Sequence, residues 1–331
     1  MEHSSESIVF SLIHTWMVLD LQITDQMIRE TSQKIRSSEN MGFFQGIKQD
    51  FTNSSASKKQ DELFTCRNQI FDNLTNFRKQ YHTFFLHDKD LKKILQNANI
   101  LSRKMMLVPV LMRREISFAN RAQILEIVST SLFKDPVFLK NLDNRITSTY
   151  QALLSAPTSA PSRSTNAALI SSILTFALPV LAIGTTGDIF GFMGPGASAP
   201  QSTHLLKRWG FGDMQTGVGV LSLASAALGQ YTYSKLSSTQ QEEIANGFNN
   251  ADCYFLAHLF TAKLINLSLQ LEEKDFNRAE IEIKELLHLL QDLRSNLYRS
   301  LYIQFENIEI NKAKLQILRN IEIQLSAILK Q

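Results

Sequence analysis

The chain has 331 residues, 44% of them hydrophobic and 20% charged, which is the balance of a folded protein and excludes intrinsic disorder. Its net charge of +3, with lysines and arginines interspersed among acids, leaves no basic face and so argues against nucleic acid as a partner. Two cysteines, Cys66 and Cys253, are too few for a disulfide framework; they read either as buried thiols or as one bridge between helices.

The N-terminal region, residues 1–155, reads as the first half of a helical bundle. No secretory leader is expected, because acids stand where a basic segment should be. Ser4 and Ser5 are cap candidates. Val9, Leu12, Trp16, Leu19 and Ile23 then recur every three or four residues, which places them on one helical stripe. Residues 53–59 are polar and predict a break. Leu63, Ile70, Leu74, Phe77, Tyr81 and Phe84 follow as a near-heptad seam. Shorter helices are expected over 91–101, 121–133 and 137–154, with Pro109 and Pro136 as separators. The aromatics on these stripes read as core.

Ser-, Pro- and Ala-rich residues 156–165 form a linker by composition. The C-terminal half, residues 235–331, is again helical. Ile244, Phe248, Ala251 and Phe255 open it, Leu286, Leu290, Leu293 and Leu297 carry a long seam, and Leu318, Ile321 and Leu325 close it. A turn is expected at 274–278 and a softer spot at 306–314. Long antiparallel helices with coiled-coil character are the expected architecture, an elongated all-α bundle.

Glycine and proline concentrate between these arms. Ten of 13 glycines fall between Gly184 and Gly229, and five of seven prolines between Pro157 and Pro200. Residues 166–234 therefore stand apart, as a central hydrophobic hairpin or head. No charge occurs from Ser164 to Gly187, and 167–183 reads AALISSILTFALPVLAI. A bilayer-spanning helix needs roughly 20 such residues, and a proline such as Pro179 is tolerated there. Leu169, Ile170, Ile173, Leu174 and Phe176 are its first inserting residues; Leu178, Val180, Leu181 and Ile183 complete it. A second window, 217–229, reads GVGVLSLASAALG and offers Val218, Val220, Leu221, Leu223 and Leu228. Ser222 with Ala226, and Ser225 with Gly229, are small residues four apart, a spacing that lets helices approach closely in lipid. The intervening loop holds Phe190, Phe192, Trp209 and Phe211, with Lys207 and Arg208 beside the tryptophan. Aromatic rings and cations of this kind suit the membrane interface. The competing reading is that the hairpin forms the sealed core of a large helical domain.

Two helical arms around NAALISSILTFALPVLAIGTTG and GVGVLSLASAALGQYTYSK resemble the α-helical pore-forming toxins of the cytolysin A, haemolysin BL and Yersinia/Xenorhabdus binary-toxin group. The resemblance implies a soluble form that folds its hairpin against the bundle, then releases it to insert and oligomerise.

Chemistry of other kinds is not signalled. Seven histidines are scattered, and His87-Asp88-Lys89-Asp90 reads as a helix start with acids at its positive end, not as a metal site. No phosphate loop, nucleophile elbow or zinc pattern occurs. The expectation is a protein with no enzymatic activity, no cofactor, no metal and no small-molecule substrate. Its partners are a target-cell bilayer and further copies or related subunits. It is expected to be released in soluble form without a cleavable signal, then to reach that membrane. The alternatives are a constitutive two-span membrane protein of bacterial effector or translocator type, whose arms bind partner proteins, and a soluble scaffold with a buried hairpin.

Overall fold

A computed structural model describes residues 5–39, 46–113, 116–154, 223, 233–303 and 308–330. Ten α-helices and no strand occur among these residues: α1 Ser5–Glu39, α2 Gly46–Tyr81, α3 Asp88–Asn97, α4 Ile100–Met112, α5 Arg121–Phe133, α6 Phe138–Leu153, α7 Ser238–Asn250, α8 Cys253–Glu272, α9 Phe276–Ile303 and α10 Ile308–Ile328. They divide into two compact units that interleave in sequence. The first comprises Met1–Val9, Lys92–Glu115 and Asn141–Gln331, the second Phe10–Leu91 and Ile116–Lys140.

In the second unit the stripe of α1 is buried at Leu12, Trp16 and Ile23, and the seam of α2 at Ile70, Leu74 and Phe77. The expected aromatics Phe77 and Tyr81 meet at 4.8 Å, and Phe10, off the expected stripe, stacks on Tyr81 at 4.3 Å. Polar ties reinforce the same pair of helices. Arg67 Nε donates to Asp25 at 2.6 Å and Gln60 Nε2 to Ser32 Oγ at 2.9 Å. Residues 7–34 are long and apolar enough to cross a membrane by length and composition, but most of that window is buried, as in a core helix.

Asp20, 1% exposed, caps α5 from a distance in sequence. Its Oδ2 accepts from the Ala119 amide at 2.8 Å, and its Oδ1 accepts from the Asn120 amide at 2.9 Å and from Asn120 Nδ2 at 2.8 Å. The Asn120 side chain makes no cap bond of its own, so Asp20 supplies the anion that a helix N-terminus favours. Asp20→Ala takes the acceptor from the part-buried Ala119 and Asn120 amides. An expected loss of about 1–2 kcal/mol should appear in chemical denaturation, with Asp20→Asn losing less.

Three boundaries differ from the sequence reading. The polar stretch at 53–59 is helical, inside α2: it holds neither glycine nor proline, and Ser57, Lys58 and Lys59 are exposed, so no apolar contact is needed there. The helix expected over 91–101 is two helices. Asn99 starts the second by accepting from the Ser102 amide at 2.7 Å. Pro109 does not end α4 but sits in its last turn. A proline in a helix interior costs about 3 kcal/mol, but Met105–Met112 are all buried, at about 1.5–3 kcal/mol for each large apolar side chain. Burial wins.

The first unit is built around α8. From Phe255 to Gln270 only His258 is not fully buried, and α4, α9 and α10 all pack against this helix. Asp252 caps it by accepting from the Phe255 amide at 2.7 Å. The turn expected at 274–278 begins at Lys274, whose φ of 60° ends α8 in the left-handed region.

Polar groups penetrate this core. Lys263 Nζ donates to Glu282 Oε2 at 2.6 Å, and Gln270 Nε2 and Arg278 Nε donate to Glu282 Oε1 at 2.9 and 3.1 Å. Burial opposes the Glu282 charge, but Lys263, Gln270 and Arg278 together outweigh it and hold the carboxyl below its ordinary range. Lys314 of α10 donates to the carbonyls of Phe248 at 3.0 Å and Asn249 at 2.5 Å, closing the end of α7. Burial pulls the Lys314 ammonium down to about 8. Its folded value lies below its unfolded one, so the unfolded chain holds the proton longer. Stability is therefore expected to rise as pH climbs from about 8 toward 10.5, a slope that Lys314→Met should flatten in denaturant midpoints measured across that range.

Candidate functional site: the fastened ends of the apolar segment

The inserting residues named between Leu169 and Ile183, with Val218, Val220, Leu221 and Leu228, lie outside the described residues. So do the interface residues Phe190, Phe192, Lys207, Arg208, Trp209 and Phe211. Leu223 is described: it is helical and 0% exposed, and it belongs to the first unit. What the structure describes of the site is its two ends.

The leading end leaves α6. A helix C-terminus presents carbonyls with no intrahelical partner. Here Asn320 Nδ2 of α10 donates to the carbonyls of Ala152 at 3.1 Å and Leu153 at 3.2 Å, while Asn320 Oδ1 accepts from Gln316 Nε2 at 2.9 Å. Leu153 itself is 0% exposed. Farther back along α6, Tyr150 packs on the His258 ring at 4.2 Å, and Arg145 Nη1 donates to Ser268 at 3.2 Å and to Glu272. Burial, then the nearby Tyr254 and Asp252, push the Tyr150 hydroxyl well above its ordinary range, so it stays a neutral phenol.

The trailing end returns as a single 3-10 turn, Tyr233–Lys235, packed on α9. Tyr233 is 2% exposed and meets the His288 ring edge-on at 5.5 Å. Burial first, then the nearby Asp292 carboxylate, raise the ionisation of its hydroxyl far above the usual tyrosine range. The Ser234 amide donates to Glu285 Oε2 at 2.9 Å, and its hydroxyl to Glu285 Oε1 at 2.8 Å. Glu285, His288 and Asp292 are three and four residues apart, hence on one stripe of α9. Immediately afterwards Ser237 and Gln240 form a capping box that starts α7. Both ends are therefore fixed by side chains of the same unit.

Sequence reasoning missed Asn320, Glu285, His288 and Asp292. Asn320 carried a weak signal, an amide beside Ile317 and Ile321 of the expected closing stripe. The α9 groups carried none, since charged residues between leucines read as a solvated helix face.

Other chemistry is limited among the described residues. Cys66 and Cys253 are free, half-buried thiols, not a bridge. Burial raises both, with Asp20 adding for Cys66, and with Lys314 opposing and Asp252 adding for Cys253; each is a poor nucleophile at neutral pH. No described group of three or more histidine, cysteine or acidic side chains converges as metal ligands. The His87–Asp90 stretch does open a helix, with Asp88 and Asp90 in the first turn of α3. Comparison with protein-family models, with curated proteins and with solved structures finds no match.

Proposed function

We propose that the chain is a membrane-inserting, pore-forming protein, or one component of such an assembly, of the α-helical toxin type. Its arms form an elongated bundle of long antiparallel helices, and residues 166–234 are the hairpin that passes into the bilayer of a target cell. The observation that carries this reading is a glycine-rich segment with two uncharged windows, 164–187 and 214–234, whose flanking residues Ala152–Leu153 and Tyr233–Ser234 are held by side chains of one helical unit. Fastened ends let the segment change solvent without the helices unfolding.

The burial of Leu223 supports a released, water-soluble form in which this residue packs against protein before it meets lipid. The exchange is one of apolar surface from protein to lipid, at roughly 25 cal/mol per Å² for whatever would otherwise face water. Trp209 with Lys207 and Arg208 then makes first contact at the headgroups. Copies of this chain, or a related subunit, complete the pore. No catalytic step, cofactor or metal enters this mechanism.

The same two fastenings also favour a second reading, a constitutive two-span membrane protein with both arms on one side. Flotation separates them. Protein purified without detergent should remain in solution, float with added liposomes and release an entrapped dye. A chain that needs detergent throughout supports the constitutive form. A soluble chain that neither floats nor causes leakage contradicts both and leaves the scaffold reading.

A further inference from the structure

We propose that the core of the first unit holds an internal water site on α8, where a buried water molecule joins Asn266 to Gln270 and extends the Glu282 network by one residue. Lys263, Asn266 and Gln270 are spaced three and four residues apart, so they share one stripe of this helix. None of the three is more than 1% exposed. Glu282 of α9 ties two of them together, accepting from Lys263 Nζ at 2.6 Å and from Gln270 Nε2 at 2.9 Å.

That second bond fixes how the Gln270 amide is turned, because the opposite orientation would set two oxygens against each other. Gln270 Oε1 is therefore left as an acceptor, and no protein group donates to it. One turn back, Asn266 presents a second carboxamide, and neither its Nδ2 nor its Oδ1 meets a protein partner. Two acceptors and a donor thus lie within a single turn, shut off from bulk solvent. Buried polar atoms are paired as a rule, with protein or with ordered water. A water molecule carries the complement of this set: hydrogens for the two acceptors and lone pairs for the Asn266 N–H groups. Internal waters commonly make about three such bonds. The ammonium of Lys263 is already paired with Glu282, so the stripe offers dipoles and no spare charge. A neutral ligand fits there, and an ion does not.

Water-oxygen magnetic relaxation dispersion on the full chain, which counts waters held longer than the protein takes to tumble, tests this. Asn266→Leu keeps the branched skeleton of the side chain and removes its polar atoms. The variant should hold at least one long-lived water fewer than the parent. Its unfolding equilibrium should shift toward the unfolded chain by about tenfold, because Gln270 Oε1 loses its donor. An unchanged count overturns the site. So does an Asn266→Leu chain more stable than the parent, the mark of an amide that was dry. If the variant does not fold, the parent decides. Its crystal structure at high resolution should place a water within about 3 Å of Gln270 Oε1 and of the Asn266 amide. A direct bond between the two amides, or no water between them, overturns the proposal.

Discussion

Replacing Glu282 with alanine is expected to destabilise the first unit by about 3–5 kcal/mol, among the largest effects available outside the apolar segment. Glu282 and Lys263 are 7% and 1% exposed, so removing the acid strands an ammonium in the core with Gln270 and Arg278 deprived of their acceptor. The intact pair contributes far less than that, because desolvation offsets most of its attraction. A Lys263→Met, Glu282→Leu double variant should therefore lose much less than either single change. Urea unfolding of the three variants checks this, and additive losses in the double variant contradict it. The pH dependence has a defined sign. The folded Glu282 value lies below the ordinary one, so its contribution is complete above about 4.5 and disappears as pH falls through the lowered folded value.

The second large effect concerns function. Leu174→Arg together with Leu178→Arg should abolish liposome leakage. Arginine at the middle of a membrane helix costs roughly 3 kcal/mol on insertion scales, and the two positions are four apart on one face. Activity is expected to fall by on the order of a hundredfold or more. Leu287→Arg is the control: Leu287 is 46% exposed on α9 and its replacement should leave leakage unchanged. Equal leakage from the double arginine variant and the parent shows that residues 167–183 do not enter the bilayer.

Periodicity made most helices legible. α5 matches its expected limits, α6 differs by one residue at each end, and the expected seam of α2 is buried at Ile70, Leu74 and Phe77 but only half-buried at Leu63 and Tyr81. It failed where a signal depends on tertiary context. Pro109 looked like a terminator because its local cost is visible in sequence, whereas the burial of Met105–Met112 that overrides it is not. The encircled position of α8 was also hidden: Lys263, Asn266 and Gln270 give it polar interruptions that suggest a solvated face. Asn266 shows the consequence, since its amide is 1% exposed with neither polar atom hydrogen-bonded. The contact of the 233–235 turn with α9 was illegible for a related reason. Glu285, His288 and Asp292 acquire meaning only once Tyr233 lies across them. Composition alone marked residues 166–234 as distinct, through their clustered glycines and two uncharged windows, a property of sequence and not of packing.

The most direct test places a fluorophore within that stretch. Leu178→Cys in a Cys66→Ala, Cys253→Ala background allows a polarity-sensitive dye to be attached at residue 178 alone. Upon addition of liposomes, its emission should shift to the blue and be quenched by lipids that carry a quencher deep in the acyl chains. Emission that stays constant with liposomes, and quenching only by water-soluble agents, would contradict insertion of the apolar segment.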